Sequence, residues 1–108
     1  MFLVIYHWDV KPELENEFVR LWKIRTDRIR RYCGSYGSRL QQDPDGNYVA
    51  IALWPTRESW EQPASLPECD KADAEAFAKT LRGRPRTQLL ETIDDLWDYP
   101  SLSRRGAR

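Results

Sequence analysis

The chain is predicted to fold as an α+β domain in the order strand, helix, strand, strand, helix, strand, with a four-stranded antiparallel sheet and both main helices on one face. Three observations carry this. Two short runs, FLVIYHW and YVAIALW, are apolar at nearly every position, as strands covered on both faces are. Between them lies a long segment whose apolar residues recur at helical spacing. Asp45-Gly46 sits just before the second run, where it supplies the positive φ a hairpin needs.

The first strand, Phe2 to Trp8, is too short for a helix and rich in β-branched and aromatic residues, so it is placed near the sheet centre. Lys11-Pro12 ends it and opens a helix to about Tyr32, with Glu13, Glu15 and Glu17 at the positive end of the helix dipole. Leu14, Phe18, Leu21, Trp22, Ile29 and Tyr32 form the stripe that docks on the sheet, and Arg25 falls in the middle of it. Arg28, Arg30 and Arg31 complement the negative helix end and read as a solvated terminus. A guanidinium that starts from a buried stripe needs a partner, so Arg25 is expected to pair with Asp9 or another carboxylate at the sheet end.

Gly34 reads as a helix C-cap, and SYGSRLQQ as a weaker second strand in which Gly37 permits close approach of another group. It turns through Asp43-Pro44-Asp45-Gly46 into Tyr48–Trp54. Pro55 stops that strand, and Thr56 caps a short helix carrying Trp60. Ser65-Leu66-Pro67-Glu68 matches a capping box for a second main helix, whose apolar positions are Ala72, Ala76, Phe77 and Leu81 and which ends at Gly83. The last strand, about Arg86 to Trp97, is laced with Glu91, Asp94 and Asp95, as suits a sheet edge or an intersubunit position. Residues 1–98 thus make one domain, and the basic tail 99–108 has nothing to pack with and is expected to be disordered.

This is the ferredoxin-like order, and it leaves one sheet face uncovered. The β-branched or leucine side, Val49, Ile51 and Leu53, is assigned to the helices. The side with Tyr48, Ala50, Ala52 and Trp54 is assigned to a hollow facing a second copy, which makes a homodimeric α/β barrel.

Composition excludes more than it proposes. Lys plus Arg equal Asp plus Glu at seventeen each, so the basic field of a nucleic-acid binder is missing. FLVIY is too short for a signal segment, and no run approaches a membrane span. Cys33 and Cys69 have no metal-type spacing and are expected as free thiols in a reducing cytoplasm. One histidine, no phosphate loop and no metal motif leave no catalytic set, and no cofactor is called for. Pocket-lining candidates are Tyr6, Tyr48, Ala50, Ala52, Trp54 and Trp60, with His7 and Arg25 as candidate polar groups.

The Phe2–Pro12 strand leading into a charged helix, the Gly34-Ser35-Tyr36-Gly37 entry to strand two, and above all ALWPTRESWE over Ala52–Glu61 resemble the antibiotic biosynthesis monooxygenase family. The resemblance spans about residues 2 to 98. It implies a dimeric ferredoxin-like barrel and a cofactor-independent oxygenase acting on a small aromatic or polyketide-like molecule. Quinol-forming members use a strand-three Asn, the Trp at that strand's end, a Tyr on the following helix and an Arg further on. Here the Trp position is Trp54, while Ala50 and Trp60 stand at the Asn and Tyr positions, and the Arg has no counterpart we can place. Haem-degrading members use an Asn, a Trp and a His at places held here by Tyr6, Pro63 and roughly Asp73, so haem degradation is not expected. The alternative is a non-catalytic barrel module that binds a small hydrophobic ligand.

Overall fold

The computed structural model describes residues 1–62 and 74–98. Four strands, β1 (Phe2–Trp8), β2 (Gly37–Gln42), β3 (Tyr48–Trp54) and β4 (Arg86–Glu91), form one antiparallel sheet in the order β2-β3-β1-β4. A 3-10 turn over Pro12–Leu14 leads into α1 (Glu15–Tyr32), and α2 (Arg57–Glu61) and α3 (Ala74–Ala78) complete the ferredoxin-like arrangement. The expected strand, helix, strand, strand, helix, strand order stands.

Local chemistry explains the boundaries. Thr56 and Ser59 form a reciprocal capping box at the start of α2, with Ser59 N–H donating to Thr56 Oγ1 at 3.0 Å and Thr56 N–H to Ser59 Oγ at 3.1 Å. In the β2–β3 hairpin, Asp43 Oδ1 accepts from Asp45 N–H at 3.0 Å and Asn47 N–H at 2.9 Å, and Gly46 supplies φ 89°. The capping box read at Ser65-Leu66-Pro67-Glu68 and the tail 99–108 lie outside the described residues.

Three expectations are corrected. First, the helices cover the other sheet face. Trp54 packs with Phe2, Val4, Ala52 and Cys33 beneath Ile29 and Trp60, and Ala50 lies in a cluster with Phe18, Trp8 and Val10. Phe18 is fully buried. Ala50 is small because the ring of Phe18 needs its space, and Ala52 packs with Trp54 and Cys33, so neither alanine marks a hollow facing a partner. Val49, Ile51 and Leu53, with Leu3 and Ile5, therefore lie half-exposed on the open face.

Second, α3 stops at Ala78 rather than running to Gly83, because the residues after it are drawn into a clip. Val10 bridges Leu81, Lys11 N–H donates to Thr80 C=O and Arg82 N–H to Asp9 C=O, both at 2.8 Å. Buried Thr80 turns its hydroxyl back onto Phe77 C=O at 2.6 Å. The last strand also ends early, at Glu91, and is an edge strand as expected.

Third, Cys33 is buried and disulfide-bonded, not a free thiol; the chain's other cysteine, Cys69, lies outside the described residues. Disulfides persist in oxidising surroundings, so the thiol argument for a reducing cytoplasm falls away. Among the described residues no helix is long and apolar enough to cross a membrane.

Candidate functional site

With the helices on the Tyr6/Trp8 side of the sheet, the space between β1, α1 and α3 becomes the place to look for chemistry. A cavity of about 300 Å³ opens there, walled by Trp8, Trp22, Phe77 and Leu81, with Tyr6 and Arg25 as its polar groups. The elements place these side chains by simple periodicity. Tyr6 and Trp8 are successive residues on one strand face and stack at 5.4 Å with their planes 10° apart. Trp22, Arg25 and Ile29 stand on one stripe of α1. Phe77 and Leu81 are brought in by the Val10–Leu81 clip.

Aromatic contacts make the cavity wall stiff. Trp8 meets Phe18 edge-on at 5.4 Å and Phe77 at 5.7 Å, while Phe18 stacks on Phe77 at 5.3 Å. The Arg25 guanidinium lies over the Phe77 ring, 5.1 Å from its centroid, a geometry that contributes roughly 0.5–2 kcal/mol and keeps the cation at the cavity wall. Of the carboxylates expected to pair with it, Asp9 instead faces Arg82 across 3.8 Å at the clip.

Tyr6 is the other polar group. Trp60 Nε1–H donates to its hydroxyl oxygen at 3.2 Å. Burial pushes the Tyr6 phenol above its ordinary value of 10.0, against smaller opposing effects of the Trp60 hydrogen bond and the Arg25 charge. An unfolded chain releases that proton near pH 10.0, whereas the folded chain keeps it. Stability contributed here is therefore full below the unfolded value and is lost as pH rises through the folded one. In a spectrophotometric alkaline titration, Tyr6→Phe is expected to remove one late-ionising phenol and to flatten the alkaline fall in stability. An unchanged curve would contradict the burial of Tyr6.

The remaining candidates are scattered. Tyr48 stands at 4.9 Å from Phe18 and donates its hydroxyl to Glu15 Oε1 at 2.9 Å; burial first, then that carboxylate, raises its phenol. Ala50 and Ala52 are core floor. Trp54 is buried, and its indole N–H has no hydrogen-bond partner among the described residues. His7 is on the open face, its Nε2 2.7 Å from Gln88 Oε1, and takes no part in the cavity. Sequence reading placed Trp22, Phe77 and Leu81 on helix stripes and Trp8 on the first strand without assigning them to a site; the signal for Trp22 was its place three residues from Arg25.

A larger hollow of about 550 Å³ lies on the opposite face, between Leu3, Leu53, Leu90 and the segment from Thr92 to Trp97. Its ionisable side chains are the carboxylates Glu91, Asp94 and Asp95, and exposed Ile93 and Leu96 form its outer wall. We give the smaller cavity priority, because a phenol, a cation and an apolar wall converge there. Among the described residues no cluster of three metal-ligating side chains forms.

The comparison with solved structures settles the architecture. An antibiotic biosynthesis monooxygenase superposes with a TM-score of 0.71 at 19% identity, over 87% of this chain and 100% of the other. The chain has the antibiotic biosynthesis monooxygenase fold. SnoaB, a cofactor-independent oxygenase from Streptomyces nogalater solved as an asparagine-to-alanine variant, shares this monooxygenase fold at a TM-score of 0.72 and 18% identity, over 90% of this chain and 97% of SnoaB. Rv0793 from Mycobacterium tuberculosis matches at 0.71 and 16%, over 89% of this chain and 98% of its own. No family profile and no curated protein sequence matches the chain.

Proposed function

We propose that this chain is a cofactor-independent oxygenase of the antibiotic biosynthesis monooxygenase type, acting on an electron-rich polycyclic phenol held in the cavity between sheet and helices. The observation that carries the proposal is the cavity itself, apolar on its walls and polar at Tyr6 and Arg25. The fold shared with SnoaB supports the reaction class.

Such chemistry asks little of a protein. Once the phenol or enol loses its proton, the ring passes one electron to dioxygen, and the radical pair combines to form a C–O bond. The resulting peroxide loses water as its O–O bond breaks, leaving a second carbonyl on the ring. For anthrone the balance is anthrone plus dioxygen to anthraquinone plus water. The protein's part is to hold the ring, exclude bulk water and favour the anion.

A second copy completes the reading. Leu3, Ile5, Val49, Ile51 and Leu53 make a contiguous apolar strip on the open face, large enough that a soluble protein is expected to cover it, and we assign that cover to a homodimer partner.

The competing reading, a module that binds a hydrophobic ligand without turning it over, draws on Ala50 and Trp60. Both stand where the resembling enzymes carry groups with greater hydrogen-bonding capacity. Oxygen-electrode measurements with anthrone in the presence of a chelator separate the two. The oxygenase predicts protein-dependent uptake with anthraquinone as product. Ala78→Phe, at an exposed position on the cavity rim, is expected to lower the rate about tenfold or more by blocking entry, an apparent barrier of about 1.4 kcal/mol. Anthrone binding with oxygen uptake no faster than buffer would leave the binding module.

A further inference from the structure

Among the described residues lining the cavity between sheet and helices, the polar side chains are Tyr6, Trp8, Trp22 and Arg25, and none of them is a carboxylate, an amide or a histidine. All can donate. The two indoles cannot accept, Arg25 is engaged over the Phe77 ring, and the Tyr6 oxygen receives the Trp60 Nε1–H at 3.2 Å. Because an indole only donates, that bond leaves the phenol proton to be given in another direction. No acceptor among the described residues takes it. The Tyr6 ring is held from two sides, by its stack on Trp8 at 5.4 Å and by the tether of its hydroxyl to Trp60 on α2. Burial keeps the phenol protonated throughout the neutral range. A fixed donor thus stands at the wall of an apolar enclosure, and covering it with hydrocarbon leaves it unsatisfied.

We propose that Tyr6 is the specificity-determining residue of this cavity, selecting an aromatic ligand that presents an acceptor-only oxygen, a ring carbonyl, and that Trp60 is the positioning residue that aims the Tyr6 proton at it. This rests on the cavity being the ligand site, as the oxygenase reading has it, and adds which ligand atom is recognised and by which residue. A carbonyl oxygen accepts the phenol proton and brings none of its own. A ligand hydroxyl brings a proton for which no described side chain on the wall offers an acceptor, and a hydrocarbon leaves Tyr6 unpaired, so the two are disfavoured for opposite reasons. The recognition is a neutral hydrogen bond and asks nothing of Arg25. Tyr6 stands at none of the Asn, Trp and Tyr positions of the quinol-forming enzymes. Trp60, at their Tyr position, acts through Tyr6 rather than on the ligand.

Equilibrium dialysis against 9-fluorenone, its hydrocarbon fluorene and its alcohol 9-fluorenol tests this, with wild-type protein and Tyr6→Phe. Fluorene reports the apolar walls alone, so the quantity read is the ratio of fluorenone to fluorene affinity. Tyr6→Phe is expected to lower that ratio about tenfold, weakening fluorenone while fluorene holds or improves, as the loss of one hydrogen bond in a dry site gives. In wild type, 9-fluorenol should bind more weakly than the ketone. Difference infrared spectroscopy of bound fluorenone adds a readout that packing alone does not move. Its C=O stretch should lie below the position it has in cyclohexane and return toward that position in Tyr6→Phe. Trp60→Phe keeps a ring but not the N–H, and should broaden the C=O band and lower the ratio by a smaller factor; circular dichroism confirms that each variant folds.

A ratio unchanged in Tyr6→Phe, a C=O stretch at its cyclohexane position, fluorenol bound more tightly than fluorenone, or no binding of any of the three would overturn the role of Tyr6. If Tyr6→Phe does not fold, the wild-type C=O stretch and Trp60→Phe decide, and an unshifted band overturns it. Ketone selectivity that depends on Tyr6, without anthrone oxidation, would keep that role and remove the oxygenase. Anthrone oxidation with a ratio indifferent to Tyr6→Phe would do the reverse.

Discussion

Phe18→Ala is expected to cost about 3–5 kcal/mol, the range for deleting a fully buried ring whose surroundings do not collapse. Phe18 touches three rings, Trp8, Tyr48 and Phe77, and sits in the cluster that holds Ala50. With only the methyl of Ala50 beneath it, little side chain is available to fill the space. Urea denaturation checks this: the midpoint should drop sharply while the slope stays constant. A loss below about 1 kcal/mol would mean that the helix does not seat on the alanine face. Because Phe18 also supports Trp8 and Phe77, the same variant should weaken ligand binding before it unfolds.

Ile51→Glu and Ala52→Glu, adjacent in β3, are expected to fail in opposite ways. Ile51 points to the open face, so a carboxylate there should leave the protomer folded but dissociate a homodimer, through the cost of burying an unpaired charge, several kcal/mol, at the interface. Ala52 is 7% exposed and lies under the helices, so Ala52→Glu should abolish folding. Sedimentation velocity with circular dichroism reads both. Wild-type protein that stays monomeric and folded at micromolar concentration would remove the dimer, and a folded Ala52→Glu would reverse the face assignment.

Strand and helix order were legible in the sequence because each signal is local. Period-two and helical spacing, Asp-Gly in a hairpin and the Thr56 cap depend on neighbours a few residues away. Which face of the sheet meets the helices was not legible, because β3 has no polar side to break the tie. Bulky β-branched residues look like a helix-packing surface, yet the deciding quantity was the volume Phe18 needs opposite Ala50, a fit between residues from different elements. The early end of α3 has the same origin: Leu81 fits the helical stripe, but pairing with Val10 draws it away.

The site was partly legible for related reasons. Tyr6, Trp60 and Arg25 could be picked as candidates from strand parity and the helical stripe, but the hydrogen bond that joins the first two spans 54 residues and has no sequence signature. Phe77 under Arg25 depends on the α3 clip. His7 drew notice as the chain's only histidine, and strand parity alone sends it to the face away from the cavity. The Cys33 disulfide likewise depends on spatial approach that spacing does not encode.

The most direct measurement is a crystal structure of the protein soaked with anthrone under anaerobic conditions. The account predicts density for the ring system between Trp8, Trp22 and Phe77, beside Tyr6. Density instead in the open-face hollow beside Leu53 and Trp97, with the helix-side cavity empty, would contradict it.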